Sequence, residues 1–146
     1  MEIRTIQEKD YELWLPLWQE NMMHQVKGEV TDKTWARLCD DTSTVFGLGC
    51  FEHTEMQGFV HYVLHPTTGA LNPVCYMQDL FIHPDHRRKG LAREILKTLA
   101  ITGQQNRWER IYWIASQDNA AAQKLYKNIG VQLNFSFHVL PLHMEI

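Results

Sequence analysis

Residues 74–82, Val-Cys-Tyr-Met-Gln-Asp-Leu-Phe-Ile, form a run that His83-Pro84 breaks off, and a basic, glycine-bearing stretch then leads into a helical pattern. A run of this length between turn signals reads as a central strand. Beyond the basic stretch, Leu91, Ala92, Ile95, Leu96 and Leu99 share one face of a helix expected to end near Gly103. A strand delivered through a short loop into an amphipathic helix needs a sheet with helices packed on its faces, which commits the chain to the α/β or α+β class.

The rest of the chain agrees with that class. Residues 2–6 alternate as a short strand, and residues 10–24 place Leu13, Trp14, Leu17 and Trp18 at helical spacing. Gly28 reads as an interruption, and Thr31-Asp32-Lys33-Thr34 as the N-cap region of a short helix that carries Trp35 and Leu38 and ends near Asp40-Asp41. Residues 44–51 and 57–65 read as a hairpin turning at 53–56, and 111–115 as a short buried strand. Asp118-Asn119 can cap a further helix with Ala122, Leu125, Tyr126 and Ile129 on one side. Gly130 stops it, and residues 133–143 offer one or two final strands. There is no repeat or linker, and 146 residues suit one domain at about 100–200 residues each, so residues 1–146 are expected to form a single domain.

Composition removes several classes. With 45% hydrophobic residues the chain is no disordered or fibrous protein. Fourteen Lys and Arg against 17 Asp and Glu give −3, which argues against a general positive field holding nucleic acid. No apolar run nears the ~18–20 residues of a membrane helix, and the start, MEIRTIQEKD, is charged where a signal peptide is apolar; a cytoplasmic location is expected. Three cysteines, Cys39, Cys50 and Cys75, lack any CxxC pair and read as buried free thiols. The histidines, His83 and His86 included, have no mechanism-bearing metal spacing.

The stretch Asp85-His86-Arg87-Arg88-Lys89-Gly90-Leu91-Ala92 carries the chemistry. It precedes a helix whose first backbone N–H groups lack internal partners and whose dipole favours an anion. Gly90 lets the backbone approach closely, and the three basic residues add charge, so the segment suits phosphate; the alternative is a solvated basic turn. It has neither GK followed by Ser or Thr, nor GxGxxG.

In context, Arg87-x-x-Gly90-x-Ala92 after the strand resembles the pyrophosphate signature Arg/Gln-x-x-Gly-x-Gly/Ala of the GNAT superfamily of N-acetyltransferases. Ile111-Tyr112-Trp113-Ile114, followed by Asn119-Ala120-Ala121-Ala122 and Leu125-Tyr126-Lys127-x-x-Gly130, resembles that family's fifth strand and next helix. The resemblance implies a mixed, mostly antiparallel sheet flanked by helices, with the fourth and fifth strands splayed to admit the pantetheine arm of acetyl-CoA as cosubstrate. It also implies that backbone groups of Leu80 and Ile82 bond the pantetheine. Arg87, Arg88, Lys89, Gly90, Leu91 and Ala92 would hold the pyrophosphate, Asn119 would contact the cofactor and Tyr126 would lie near its sulfur. Read without the family, Asn119 is an N-cap and Tyr126 a core aromatic. Their separation of seven residues, about two helical turns, lets both face one crevice.

Acetyl transfer needs a neutral amine, N–H donors for developing negative charge and a proton source for the leaving thiolate. Tyr126 suits the last role. In the polyamine and thialysine enzymes this stretch resembles, a Glu precedes the strand Asp; here Gln78 stands before Asp79, and an amide is no base. That leaves Asp79, a water chain to a more distant carboxylate or histidine, or an amine of already low pKa; Asp79 is the expected proton acceptor, although strict alternation puts it opposite Gln78 unless a bulge intervenes. Q-D-L-F-I, W-L-P-L-W and Y-W-I look closest to the branch with histone-tail, polyamine and D-amino-acid acetyltransferases. The expectation is direct transfer of acetyl to a small primary amine in a ternary complex, without nucleic acid, membrane or metal. Trp14, Trp18, Asn21, Met22 and His24 are available to shape an acceptor pocket, Trp14 and Trp18 being better explained as core. Homodimer formation is a further expectation from the family's habit of pairing C-terminal strands. The competing class is an acyl-CoA-binding or interaction module that keeps the fold without turnover.

Overall fold

The apolar runs ahead of Ile114 pair into one five-stranded sheet: β1 (Glu2–Thr5), β2 (Val45–Glu52), β3 (Glu55–His65), β4 (Val74–Ile82) and β5 (Ile111–Tyr112), in that spatial order. Neighbours are antiparallel from β1 to β4, and β5 runs parallel to β4. Helices α1 (Tyr11–Asn21) and α2 (Gly28–Cys39) connect β1 to β2, and α3 (Leu91–Gln105) connects β4 to β5. The computed structural model describes residues 1–143. They form two compact units, Met1–Trp113 and a second beginning at Ile114 that contains α4 (Ala120–Ile129).

In β3 every residue from Met56 to Tyr62 is buried, so neither face of the strand alternates into water. Trp14, Leu17 and Trp18 of α1 and Leu38 of α2 pack with Phe59 and Phe81 in one core cluster. Val60, next to Phe59 and so on the opposite face, is fully buried too, and α3 lies against β2, β3 and β4 with Ile95 and Leu99 at 0% exposure. The result is a mixed sheet with helices on both faces. Fully burying each such aliphatic side chain is worth about 1.5–3 kcal/mol.

Five expectations change. Helix α2 starts at Gly28, with Lys27 as its extended N-cap residue, so Gly28 opens the helix instead of interrupting the chain. Thr31 is no cap: its hydroxyl accepts the Trp18 indole N–H at 3.0 Å. Helix α3 continues past Gly103 to Gln105, because Gly103 is a packing site, where an added Cβ would stand 2.8 Å from Trp108. β5 ends at Tyr112 instead of residue 115, and residues 131–143 form no strand. The alternation Val131, Leu133, Phe135, Phe137, Val139 is present and exposed, but a strand exists only through a pairing neighbour, and no ladder reaches these residues among those described.

Candidate active site

The site begins with an irregularity in β4. Asp79 pairs with His61, and the next pair is Met77 with Tyr62, so Gln78 is an extra residue on β4. Directly paired residues point to the same face, and His61 and Tyr62 point to opposite ones. The bulge therefore puts Asp79 and Met77 on opposite faces despite their spacing of two, which an unbroken strand forbids. Met77 goes into the buried layer, while Asp79 turns toward α1 with its side chain 19% exposed. There one carboxylate oxygen lies 3.0 Å from Nδ1 of His61, and the other accepts from the Asn21 amide at 3.3 Å. Burial, and after it Tyr112 and the Asp79 charge, pushes the Tyr76 phenol up.

Among the described residues β5 pairs with β4 at Cys75 and Tyr76 only, and no strand lies beside the outer edge of β4 from Met77 to Ile82. The His83 N–H donates to the Gln57 carbonyl at 2.8 Å, which makes that pair hydrogen-bonded. Bonded and non-bonded pairs alternate in an antiparallel ladder, so Val60–Leu80 and Gly58–Ile82 are non-bonded pairs. Backbone groups of Leu80 and Ile82 therefore point out of the ladder, toward the edge that β5 leaves open. The Ile82 carbonyl is taken by Nε of Arg87 at 2.9 Å. That restricts two sequence expectations: Arg87 clamps its loop, with its guanidinium 5.5 Å from the Phe81 ring, and Ile82 presents its N–H.

β4 leads into the anion-suited loop. Arg88 takes φ 66° and Gly90 φ 79°. Gly90 is the N-cap residue of α3, and Glu94 is the first residue to close a helical bond, onto the Gly90 carbonyl. The amides of Leu91, Ala92 and Arg93 thus stand at a helix start without intrahelical partners. A Cβ at Gly90 would meet nothing within 4 Å, so open space lies in front of the turn. Arg88 and Lys89 are exposed beside it. Open amides, positive dipole end and two cations give this turn the sign an anion needs.

Asn119 and Tyr126 belong to the second unit. Asn119 caps α4, its side-chain oxygen accepting from the Ala122 N–H at 3.1 Å. Tyr126 is half-buried in the helix seven residues on, and burial pushes its phenol up. Of the residues available for an acceptor pocket, Trp14 and Trp18 are core and Met22 packs partly buried against them; Asn21 reaches Asp79, and His24 is exposed. His61 carries no motif that marks it in the sequence. The available signal was a lone imidazole inside the apolar run Gly-Phe-Val-His-Tyr-Val, since a buried polar group needs a partner.

The sequence matches the family model described as "Acetyltransferase (GNAT) family" over residues 2–131. The D-amino-acid N-acetyltransferase of Saccharomyces cerevisiae is 31% identical over 133 residues, 88% of this chain and 83% of the yeast protein. Among solved structures, the ribosomal-protein-alanine N-acetyltransferase from Brucella melitensis biovar Abortus 2308 superimposes with TM-score 0.81 at 20% identity, over 97% of this chain and 100% of that one. The aminoglycoside enzyme AAC(6')-Iy, in complex with the bisubstrate analogue CoA-S-monomethyl-acetylneamine, does so with TM-score 0.81 at 16% identity, over 98% of each chain.

Proposed function

The chain belongs to the GNAT acetyltransferase family, and from that premise we propose that it moves acetyl from acetyl-CoA directly to the nitrogen of a small primary amine, with Asp79 as proton acceptor. The observation that carries this reading is β4: one edge open beyond Tyr76, a carboxylate turned out of the strand by the bulge, and a helix start suited to diphosphate at its end. Acetyl-CoA supplies an activated acyl carbon. The α3 amides, with Arg88 and Lys89, hold the diphosphate; the outward-pointing groups of Leu80 and the Ile82 N–H bond the pantetheine. An alkyl ammonium near pKa 10 is no nucleophile until it loses a proton, and Asp79 takes it, directly or through one water. Asn119 contacts the cofactor from the cap of α4. Tyr126 donates its hydroxyl hydrogen bond as charge develops on the departing sulfur; its phenol, raised by burial, keeps its proton at neutral pH.

A small amine is favoured over a protein tail because the yeast relative acts on D-amino acids, and AAC(6')-Iy is held with an aminoglycoside-derived analogue. The same reading has residues 1–146 acting as one catalytic domain in the cytoplasm, where free thiols persist. Homodimers form through the exposed alternation at 131–139. The test is steady-state acetylation of a panel of D-amino acids, polyamines and aminoglycosides. Asp79→Asn should lower kcat by about a hundredfold or more without weakening acetyl-CoA binding. Selective acetyl-CoA binding with no amine acetylated would reassign the protein to the acyl-CoA-binding class.

A further inference from the structure

Asp79 sits at the end of a hydrogen-bond chain that reaches from the core. The Trp14 indole Nε1 lies 3.0 Å from Nε2 of His61, and Nδ1 of His61 lies 3.0 Å from the Asp79 carboxylate. An indole N–H donates and cannot accept, so Nε2 is the acceptor and the ring proton is on Nδ1, where it donates to Asp79. The Nε2 lone pair is then occupied by the Trp14 N–H. Packing holds the ring in this arrangement. His61 is 3% exposed, its ring stacks on Phe59 with centroids 4.2 Å apart, and Trp14 and Trp18 close the remaining sides at 6.1 and 5.6 Å. Gly47 opposite provides the room: a Cβ there would come 3.4 Å from the His61 ring and 2.9 Å from Ile6.

We propose that Trp14 and His61 form a tautomer-locked array that, with Asn21, positions the Asp79 carboxylate for proton acceptance; this rests on the reading of Asp79 given above. Such a device answers a need the bulge creates. An extra residue frees Asp79 from strand alternation, and the carboxylate would otherwise sample several rotamers. Donors from two separate elements, β3 and the last residue of α1, hold one oxygen each and leave a second lone pair on each oxygen for the amine. His61 and Trp14 are thus positioning residues, and His61 is not itself a base.

The test combines ring 15N NMR with kinetics, in the full-length protein, with folding checked by thermal unfolding. NMR should show His61 as the Nδ1–H tautomer, and Trp14→Phe should release that preference. His61→Phe removes the donor, whereas His61→Asn places an amide N–H near the Nδ1 position. His61→Phe should lower kcat about tenfold or more with the acetyl-CoA KM unchanged, and His61→Asn should restore it to within about threefold. In an Asp79→Asn background His61→Phe should add nothing. An Nε2–H tautomer in the wild type, or equal losses in folded His61→Phe and His61→Asn, would overturn the proposal. Loss of activity in Asp79→Asn with none in His61→Phe would overturn this array alone; full activity in Asp79→Asn would overturn both readings.

Discussion

Gly90→Glu separates the diphosphate cradle from the stability of the fold. Gly90 holds φ 79° and ψ 11°, and a Cβ there meets nothing within 4 Å, so the substitution brings left-handed backbone strain without a steric clash. That strain costs about 1–2 kcal/mol. A carboxylate at a helix N-terminus offsets about 0.3–1 kcal/mol of it. The free protein should therefore lose roughly 1 kcal/mol, a fall of about 3–5 °C in Tm at this chain length. The ligand experiences the opposite sign. Two unit charges about 5 Å apart repel by ~0.8 kcal/mol in water and ~3 kcal/mol at an effective dielectric of 20, so a diphosphate facing the introduced carboxylate loses roughly fourfold to a few-hundredfold in affinity. Calorimetric titration of acetyl-CoA and of phosphate-free S-acetylpantetheine, into wild type, Gly90→Ala and Gly90→Glu, reads both effects. Only the glutamate should discriminate strongly, and only against the phosphorylated ligand. Wild-type acetyl-CoA affinity in a folded Gly90→Glu protein, or equal weakening of both ligands, would refute the cradle.

Arg4 clamps Asp10 through two bonds, 2.8 and 2.9 Å long, with the Asp10 side chain 3% exposed. Burial pushes the Asp10 carboxyl up, but the Arg4 and Gln7 hydrogen bonds and the nearby positive charges outweigh it and leave it below the ordinary value. The pair's contribution is therefore present above about pH 4 and lost as pH falls through the lower folded value. Asp10→Asn should cost ~1.5–3 kcal/mol at neutral pH and flatten the acid limb of a stability–pH profile measured by urea unfolding; an unchanged limb would count against the assignment. Gly103→Ala should lower Tm, although alanine is the better helix former by about 1 kcal/mol, because its Cβ would meet Trp108 at 2.8 Å; a rise in Tm would mean the indole yields at little cost.

Local patterning made much of this protein legible. The run at 74–82, the Pro84 stop, Gly90 and the apolar face from Leu91 to Leu99 each carry their own periodicity or turn chemistry, and β4, the loop and α3 follow them. The final strands expected over 133–143 failed for want of a pairing neighbour, and the misread caps and stops share another cause: a glycine or a threonine has more than one use. Gly103 serves the approach of Trp108 instead of ending a helix, and Thr31 serves Trp18 instead of capping one.

Asp79 marks the boundary between the two kinds of information. Its chemical type, and its position two residues after Met77, stand in the sequence; its face does not, because one unpaired residue in a ladder reverses every side chain beyond it, and whether Gln78 pairs depends on β3. Trp14, His61 and Asp79 come from a helix and two strands, and only their tertiary approach puts an indole proton, an imidazole and a carboxylate within 3.0 Å steps. The elements up to α3, the anion-suited helix start and the candidate chemistry could be read from the chain alone, because each arises from spacing within a few residues. Strand register, the open edge of β4 and the partners of Asp79 belong to the folded structure, since hydrogen-bond pairing and burial depend on residues distant in the chain.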